Sequence, residues 1–341
     1  MLPRLLASLL LLSGLAVFAG CTTDPQVIAQ ANDIHQQIEP TVVTDPELAA
    51  YVQQVGDRIV QAGRELHAQG ELPGEAWMFE NVRFHLVASP TPNAFTTGGT
   101  HVYMYSKLFD ESDSEDAFAA VVGHEFGHIL GRHVQESMDQ QMGILAAAGL
   151  VGLGAAAISE DGSRAETGMA AAGVAAMGGQ LFGLGFGREN EREADRFGFK
   201  MHLQAGYDPD KFPNFFRTMI AAGYDTGGGI QSYLSSHPSL AERVETAEGW
   251  ARGVPEDVRR RNARPPIASG GEFARLQERS RGMTQRAAAA AAAAQASGTS
   301  TPFVDALAIL EAFPACVGGD ADGVPPEEQP KALSRISEPP R

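Results

Sequence analysis

The chain has 341 residues, with 26 basic and 42 acidic side chains and a net charge of −16. Nucleic acid and anionic lipid surfaces repel a chain this acidic, which argues against both as partners. Hydrophobic residues make up 43%, which excludes wholesale disorder, and two cysteines are too few for a disulfide scaffold. The length allows about two domains at most.

The N-terminus has the pattern of a bacterial export signal. Arg4 precedes an apolar run from Leu5 to Ala19, which is too short to span a bilayer comfortably. Small residues then precede Cys21, as in a lipobox, which predicts a signal peptide over 1–20 and a lipid on Cys21; ordinary signal-peptidase cleavage is the alternative. Thr22 follows in place of an aspartate. By resemblance to other bacterial lipoproteins, this favours the outer membrane, facing the periplasm.

The following segments predict a tether, a helix and a small sheet. Residues 21–38 are polar and Gln-rich, which is typical of a tether. Thr44 and Glu47 form a capping box that begins a helix, and its apolar residues recur at helical spacing. Alternating apolar residues predict strands over 82–87 and 100–105.

Helices dominate the rest of the predicted domain. Ser112 and Glu115 form a second capping box, which predicts a helix that runs to about Met138. Periodicity predicts further helices over 190–204, 212–222 and 239–251.

Two segments have unusual composition. Residues 143–187 are Gly/Ala-rich and nearly uncharged, which indicates a buried or membrane-skimming hairpin; a pair of spanning helices is the alternative. Residues 263–341 contain Pro-Pro pairs and an alanine run, which predicts a mostly disordered tail with one short helix over 302–313. We interpret Cys316 as an inert thiol in that tail.

His124-Glu125-Phe126-Gly127-His128 is an HExxH motif on the helix that begins at Ser112. Two histidines at i and i+4 share one helix face, so both imidazoles can reach one metal ion. Glu125 is placed to accept a proton from water, and Zn²⁺ suits such ligands and activates water near pH 7. The motif therefore predicts hydrolysis at a metal ion; two histidines on a solvated face are the alternative.

A zinc site of this kind needs a third protein ligand. We reject His133, because on a continuing helix it would point about 140° away from His128 and be partly exposed. Glu191 and Asp195 lie at i and i+4 on a later helix. Glu191 can therefore complete a His₂Glu site, and Asp195 can hold a ligand imidazole through its second nitrogen. Glu193, between them, is interpreted as part of a solvated face.

HExxH followed by the ExEAD segment 191–195 resembles the gluzincin family of the CAAX prenyl protease, HtpX, Oma1-like and BepA/LoiP-like zinc metallopeptidases. The resemblance covers about Glu39 to Arg252. Further segments that resemble the family are Asn93-Ala94-Phe95 with Gly98-Gly99, Ala205-Gly206-Tyr207-Asp208-Pro209, and His237-Pro238 with Arg243.

This resemblance implies an α+β, mainly helical fold of the zincin type over residues 39–262. It implies one zinc ion bound by His124, His128 and Glu191. Glu125 is then the general base, and Asp195 supports a ligand from behind.

Two more side chains are implied to approach the metal from a different segment. Arg243, which is permanently charged, is suited to stabilising an oxyanion. His237 either does the same or occupies the open zinc position and holds the enzyme latent.

The resemblance also implies how substrate would bind. The strand with Thr100, His101, Val102 and Tyr103 would take up the substrate backbone as an added β-strand, a mode that favours unfolded segments. The resulting prediction is a lipid-anchored zinc endopeptidase that acts on unfolded or misassembled envelope proteins. A latched or inactive zinc-binding, chaperone-like lipoprotein is the alternative.

Overall fold

The computed structural model describes residues 22–140, 186–221, 240–269 and 271–312. Ten helices and three strands are labelled here within those ranges. The helices are α1 (Asp24–Ile38), α2 (Pro46–Ala68), α3 (Ser106–Glu111), α4 (Glu115–Leu130), α5 (Arg188–Gln204), α6 (Asn214–Ala221), α7 (Leu240–Gly253), α8 (Glu256–Asn262), α9 (Glu272–Ser297) and α10 (Pro302–Ala312). The strands are β1 (Arg83–Val87), β2 (Ala94–Thr96) and β3 (His101–Tyr105). The predicted α+β, mainly helical class is confirmed.

The three strands form one sheet in the order β1-β3-β2. β1 pairs with β3 in parallel, and β2 pairs with β3 antiparallel. β3 therefore lies in the centre, with a neighbour along both of its edges. The prediction that Thr100, His101, Val102 and Tyr103 receive the substrate strand is wrong for β3, because β1 pairs with His101–Tyr105 along one edge and β2 with Val102–Met104 along the other. Of the described strands, β2 lies at the edge nearest the site described below.

Two cores lie on opposite faces of this sheet. Phe84, Leu86, Val102 and Met104 pack with helices α2, α4 and α5 in the main core. On the other face, Tyr103 and Tyr105 pack with α1 and α10. Successive side chains of a strand point to opposite faces of the sheet, so neighbouring residues of β1 and β3 belong to different cores.

Residues 24–38 form a packed helix, which corrects the predicted tether. Val27, Ala31, Ile34 and Ile38 recur on one face of α1 and are buried. The Gln-rich composition describes only the outer face of α1. A stripe of four apolar residues is enough to dock a helix of this length on the sheet.

The predicted disorder is also corrected for residues 272–297, whereas the short helix predicted over 302–313 is present as α10. Phe273 and Leu276 of α9 belong to the main core, and Gln277 donates to the carbonyl oxygens of Phe109 and Ser112 at 2.8 and 2.7 Å. The alanine run is low in complexity, yet alanine has the highest helix propensity of all residues. α10 then continues over the sheet, where Tyr105 donates to the Leu310 carbonyl.

Several predicted helix boundaries shift by a few residues. Asp45, rather than Thr44, caps α2 and accepts from the backbone N–H groups of Glu47 and Leu48. Ser114, rather than Ser112, caps α4. The predicted helix to Met138 is interrupted: α4 ends at Leu130, Arg132 has φ 58°, and residues 133–140 form a new helical segment.

Some predictions fall outside the described residues. These are the signal peptide over 1–20, the lipid on Cys21, nearly all of the apolar hairpin over 143–187, His237, and the tail beyond residue 312 with Cys316. Among the described helices, none is both long and apolar enough to cross a membrane.

Candidate metal centre

The two histidines of the HExxH motif lie on the buried helix α4. Their Nε2 atoms are 3.1 Å apart. His124 is 4% exposed and His128 is fully buried. The spacing of four residues places both rings on one face of α4, as predicted, and burial shields that face from solvent.

Glu191 of α5 lies directly across from both imidazoles. One carboxylate oxygen is 3.4 Å from His124 Nε2 and the other is 3.4 Å from His128 Nε2. α4 and α5 can approach this closely because glycines lie where the two helices meet. A Cβ atom on Gly127 would lie 2.7 Å from the Ala194 carbonyl oxygen, and a Cβ atom on Gly198 would lie 2.9 Å from the backbone nitrogen of His124. The glycine in the HExxH motif is thus a packing requirement of the site.

These three side chains could hold a metal ion. A tetrahedral zinc ion with bonds of about 2.0–2.1 Å to nitrogen and oxygen requires its ligands to lie about 3.3 Å apart. The separations of 3.1 to 3.4 Å among the donor atoms agree with that requirement. With one Glu191 oxygen facing each imidazole, the three residues fit a zinc ion.

Asp195 orients the first of these histidines. Its Oδ1 atom is 2.8 Å from His124 Nδ1, the ring nitrogen that faces away from the cluster. A carboxylate at this nitrogen fixes the tautomer in which Nε2 carries the lone pair for a metal.

His133 orients the second histidine, and the prediction that it is partly exposed is wrong. It is 1% exposed, and its Nδ1 is 2.8 Å from His128 Nδ1. Its other nitrogen is 3.0 Å from Glu193 Oε2. The 140° argument assumed one continuous helix, whereas the chain turns at Arg132 and brings His133 back against His128.

Glu193 is consequently part of this arrangement and does not belong to a solvated face. Its hydrogen bond with His133 lowers the pKa of the Glu193 carboxyl below its usual range. The spacing of five residues between His128 and His133 does not predict that the two side chains are in contact. Gly131, a common residue at helix ends, was the one sequence feature consistent with a turn there.

Arg243 of α7 is the cation of the site. It is 4% exposed and makes two hydrogen bonds to the Asp195 carboxylate, at 2.8 and 2.7 Å. Its Nη1 is 3.6 Å from Glu191 Oε2, and its guanidinium lies 4.3 Å above the Phe216 ring. The prediction that Arg243 reaches the site from another segment agrees with this placement.

The charges of the cluster shift two pKa values in opposite directions. Burial and Arg243 act to lower the pKa of His124, but hydrogen bonds with Asp195 and Glu191 outweigh them and raise it to about 9. Burial acts to raise the pKa of Asp195, but Arg243 and His124 lower it overall. In the metal-free chain His124 is therefore protonated near neutral pH, and a metal ion must displace that proton.

A pocket opens beside these residues. Its polar lining includes Asn93, His124, Glu125 and Arg243, and Pro92 and Ala94 line it as well. Glu125 is 2% exposed and follows His124 directly in α4. The pocket is therefore lined by the candidate base Glu125, by one candidate metal ligand, His124, and by the first residue of β2, Ala94.

Replacing Glu193 with glutamine is expected to weaken zinc binding by about 10- to 100-fold, the usual effect of losing a group that orients a ligand. The amide lacks the negative charge that supports His133 and, through it, His128. We would measure affinity by competition with a chromophoric chelator. Glu189→Gln, on the same helix with an 89% exposed side chain, is the control that should leave affinity unchanged. Equal affinities for the two variants would contradict the role of Glu193.

Comparison with known proteins gives a consistent result. The model of peptidase family M48 matches residues 46–251. A Vibrio cholerae protease named for β-barrel assembly enhancement is 31% identical over 220 residues, which cover 63% of this chain and 41% of that protein.

Two further relatives come from different lineages. The β-barrel assembly-enhancing protease of Escherichia coli (strain K12) is 27% identical over 216 residues, covering 62% of this chain and 40% of the relative. The mitochondrial metalloendopeptidase OMA1 of Schizosaccharomyces pombe is 30% identical over 174 residues, covering 49% of this chain and 45% of the relative. The chain therefore spans less than half the length of each of these proteins.

Proposed function

Because this chain belongs to peptidase family M48, we propose that it is a zinc-dependent endopeptidase that cleaves unfolded or misassembled proteins of the cell envelope. The observation that carries the proposal is the cluster of His124, His128 and Glu191, whose donor atoms lie 3.1 to 3.4 Å apart beside Glu125. One metal and one adjacent carboxylate are the minimum for hydrolysis of a peptide bond by this chemistry.

The ligands and their supports prepare the site before substrate arrives. His124, His128 and Glu191 would hold one zinc ion, which when bound polarises a carbonyl group and lowers the pKa of water. Asp195 and His133 hold the two imidazoles in the required orientation.

Glu125 performs the proton transfers. Its carboxylate accepts the proton of the attacking water and later passes it to the leaving amine. The low exposure of Glu125 keeps competing water away from this transfer. Arg243 places positive charge at the pocket wall, where it would stabilise an oxyanion while it remains paired with Asp195. His237 stays a candidate for a second stabilising group or for a latch.

The substrate class and the location are part of the same proposal. Pro92, Asn93 and Ala94 line the pocket, so a substrate chain that reaches the candidate base would pass beside them. The names of the bacterial relatives refer to β-barrel assembly, which supports envelope proteins as substrates. A lipid on Cys21 would hold the chain at the outer membrane, facing the periplasm; the lipobox-like sequence supports this placement.

Degradation of unfolded casein tests the peptidase proposal. We expect the zinc-loaded chain to cleave casein, a strong chelator to stop cleavage, and added zinc to restore it. The restored rate excludes a contaminating serine or cysteine protease. Zinc binding with no cleavage would contradict the proposal and favour a non-proteolytic binder.

A further inference from the structure

A second group of imidazoles lies on the sheet, away from the candidate metal centre. His35 comes from α1, His85 from β1 and His101 from β3. One nitrogen atom from each ring lies within 4.8 Å of the others. All three side chains are partly exposed, so an ion in solution can reach them.

This group is separated from the first site by the sheet itself. His85 and His101 alternate along their strands with Phe84, Leu86, Val102 and Met104, which face α4 in the main core. His85 and His101 therefore point to the opposite face, toward α1. Neither the HExxH helix nor α5 contributes a residue to the group.

Hydrogen bonds hold the rings in defined orientations. Asn32 Oδ1 is 3.1 Å from His101 Nε2, and an amide oxygen only accepts, so the proton of His101 is on Nε2. His101 Nδ1 then accepts a hydrogen bond from His85 Nε2–H, 2.9 Å away, and a metal ion between these two nitrogens would displace that proton. His35 Nδ1 is 3.0 Å from the Tyr103 hydroxyl, so the other ring nitrogen of His35, Nε2, is the one that could bind a metal ion. A partner on the outer nitrogen is the usual support for a metal-binding imidazole.

The rings are also uncharged near neutral pH. Burial, with His35 as the next cause, lowers the pKa of His85 to about 3 and that of His101 to about 4. Burial lowers the pKa of His35 as well. Neutral imidazole is the form that coordinates metals.

We propose that His35, His85 and His101 form a second metal site, which takes a divalent transition ion such as Zn²⁺. Three nitrogen donors suit zinc, copper and nickel, whereas calcium and magnesium require oxygen ligands. Water would supply the fourth ligand. An ion here would link α1 to β1 and β3, and so fasten the first helix of the domain to the sheet.

The second site should bind more weakly than the first. The donor atoms of the first site already lie 3.1 to 3.4 Å apart, close to the spacing that one zinc ion requires. The rings of His35 and His101 are stacked, with centroids 4.5 Å apart, and must rotate to direct their lone pairs at one ion. That rearrangement costs binding free energy, so a chelator should remove this ion first.

Metal counting on the full chain tests the proposal. After loading with Zn²⁺ and dialysis, we expect two ions per wild-type chain by mass spectrometry. His85→Gln with His101→Gln should bind one ion, and His124→Gln with His128→Gln should also bind one. His67→Gln is the matched control: His67 is a partly exposed histidine whose Nδ1 contacts the Leu72 carbonyl, outside both groups, and this variant should keep two.

A spectroscopic measurement guards against variants that misfold. Co²⁺ bound to the His124→Gln, His128→Gln chain should absorb in the visible range, as expected for tetrahedral nitrogen ligation, and His35→Gln added to that chain should remove the absorption. One zinc ion in the wild type, unaffected by His85→Gln with His101→Gln, would overturn the second site and leave the peptidase proposal intact. If only the second site bound zinc, the peptidase proposal would be overturned and the second site would be supported.

Discussion

Replacing Glu125 with glutamine is expected to lower casein cleavage by about 10²- to 10⁴-fold, the range associated with losing a general base. The amide cannot accept a proton from water, although it has nearly the same size and keeps the packing of α4. Glu125 is not among the three side chains that could hold the metal. Zinc content should therefore be unchanged, which separates a loss of chemistry from a loss of the ion.

The measurement compares initial cleavage rates at equal zinc occupancy. Glu80→Gln is the matched control, because Glu80 is exposed and lies outside the pocket. It should retain the wild-type rate. A Glu125→Gln variant that cleaves casein at the rate of the control would rule out Glu125 as the base.

Replacing Arg243 with methionine is expected to destabilise the metal-free protein by about 3–5 kcal/mol, as when one partner of a buried ion pair is removed. The Asp195 carboxylate, 4% exposed, would lose both hydrogen bonds from the guanidinium. Glu191, fully buried, would lose the cation 3.6 Å away. Methionine fills most of the space, so the loss is mainly electrostatic.

Urea unfolding with and without zinc measures this effect. Arg192→Met is the control, because Arg192 pairs with Glu242 at the surface and both side chains are about half exposed; such pairs contribute about 0–1 kcal/mol. Zinc should restore part of the stability of Arg243→Met, since a bound ion places positive charge beside Glu191 and binds the folded state alone. Equal destabilisation by the two substitutions would contradict the assigned role of Arg243.

The candidate metal ligands could be predicted from the sequence because they occur in pairs of residues that are close together in the chain. His124 and His128 are four residues apart, as are Glu191 and Asp195, and helical geometry alone places each pair on one face. The capping pattern near residue 114 and the periodicity near residue 190 indicated those helices correctly to within a few residues. Only the meeting of the two pairs required the resemblance to a family.

The contacts that the sequence did not indicate all join segments distant in the chain, or depend on one turn. The dihedral angles at Arg132 bring His133 to His128, and no helical periodicity predicts a break of that kind. The strand order β1-β3-β2 makes β3 central, although β3 is the last of the three strands in the chain.

The sequence by itself determined the helix faces and the two pairs of candidate site residues, because these depend on residue type and on spacing within a single turn or two of helix. The tertiary structure alone decided which segments are packed. Residues 272–297 look unstructured by composition, yet Phe273 and Leu276 find a core to fill. Burial depends on partners far along the chain, and the free energy of docking outweighs a weak local preference. The same principle brings His35 beside His85 and His101, fifty and more residues away.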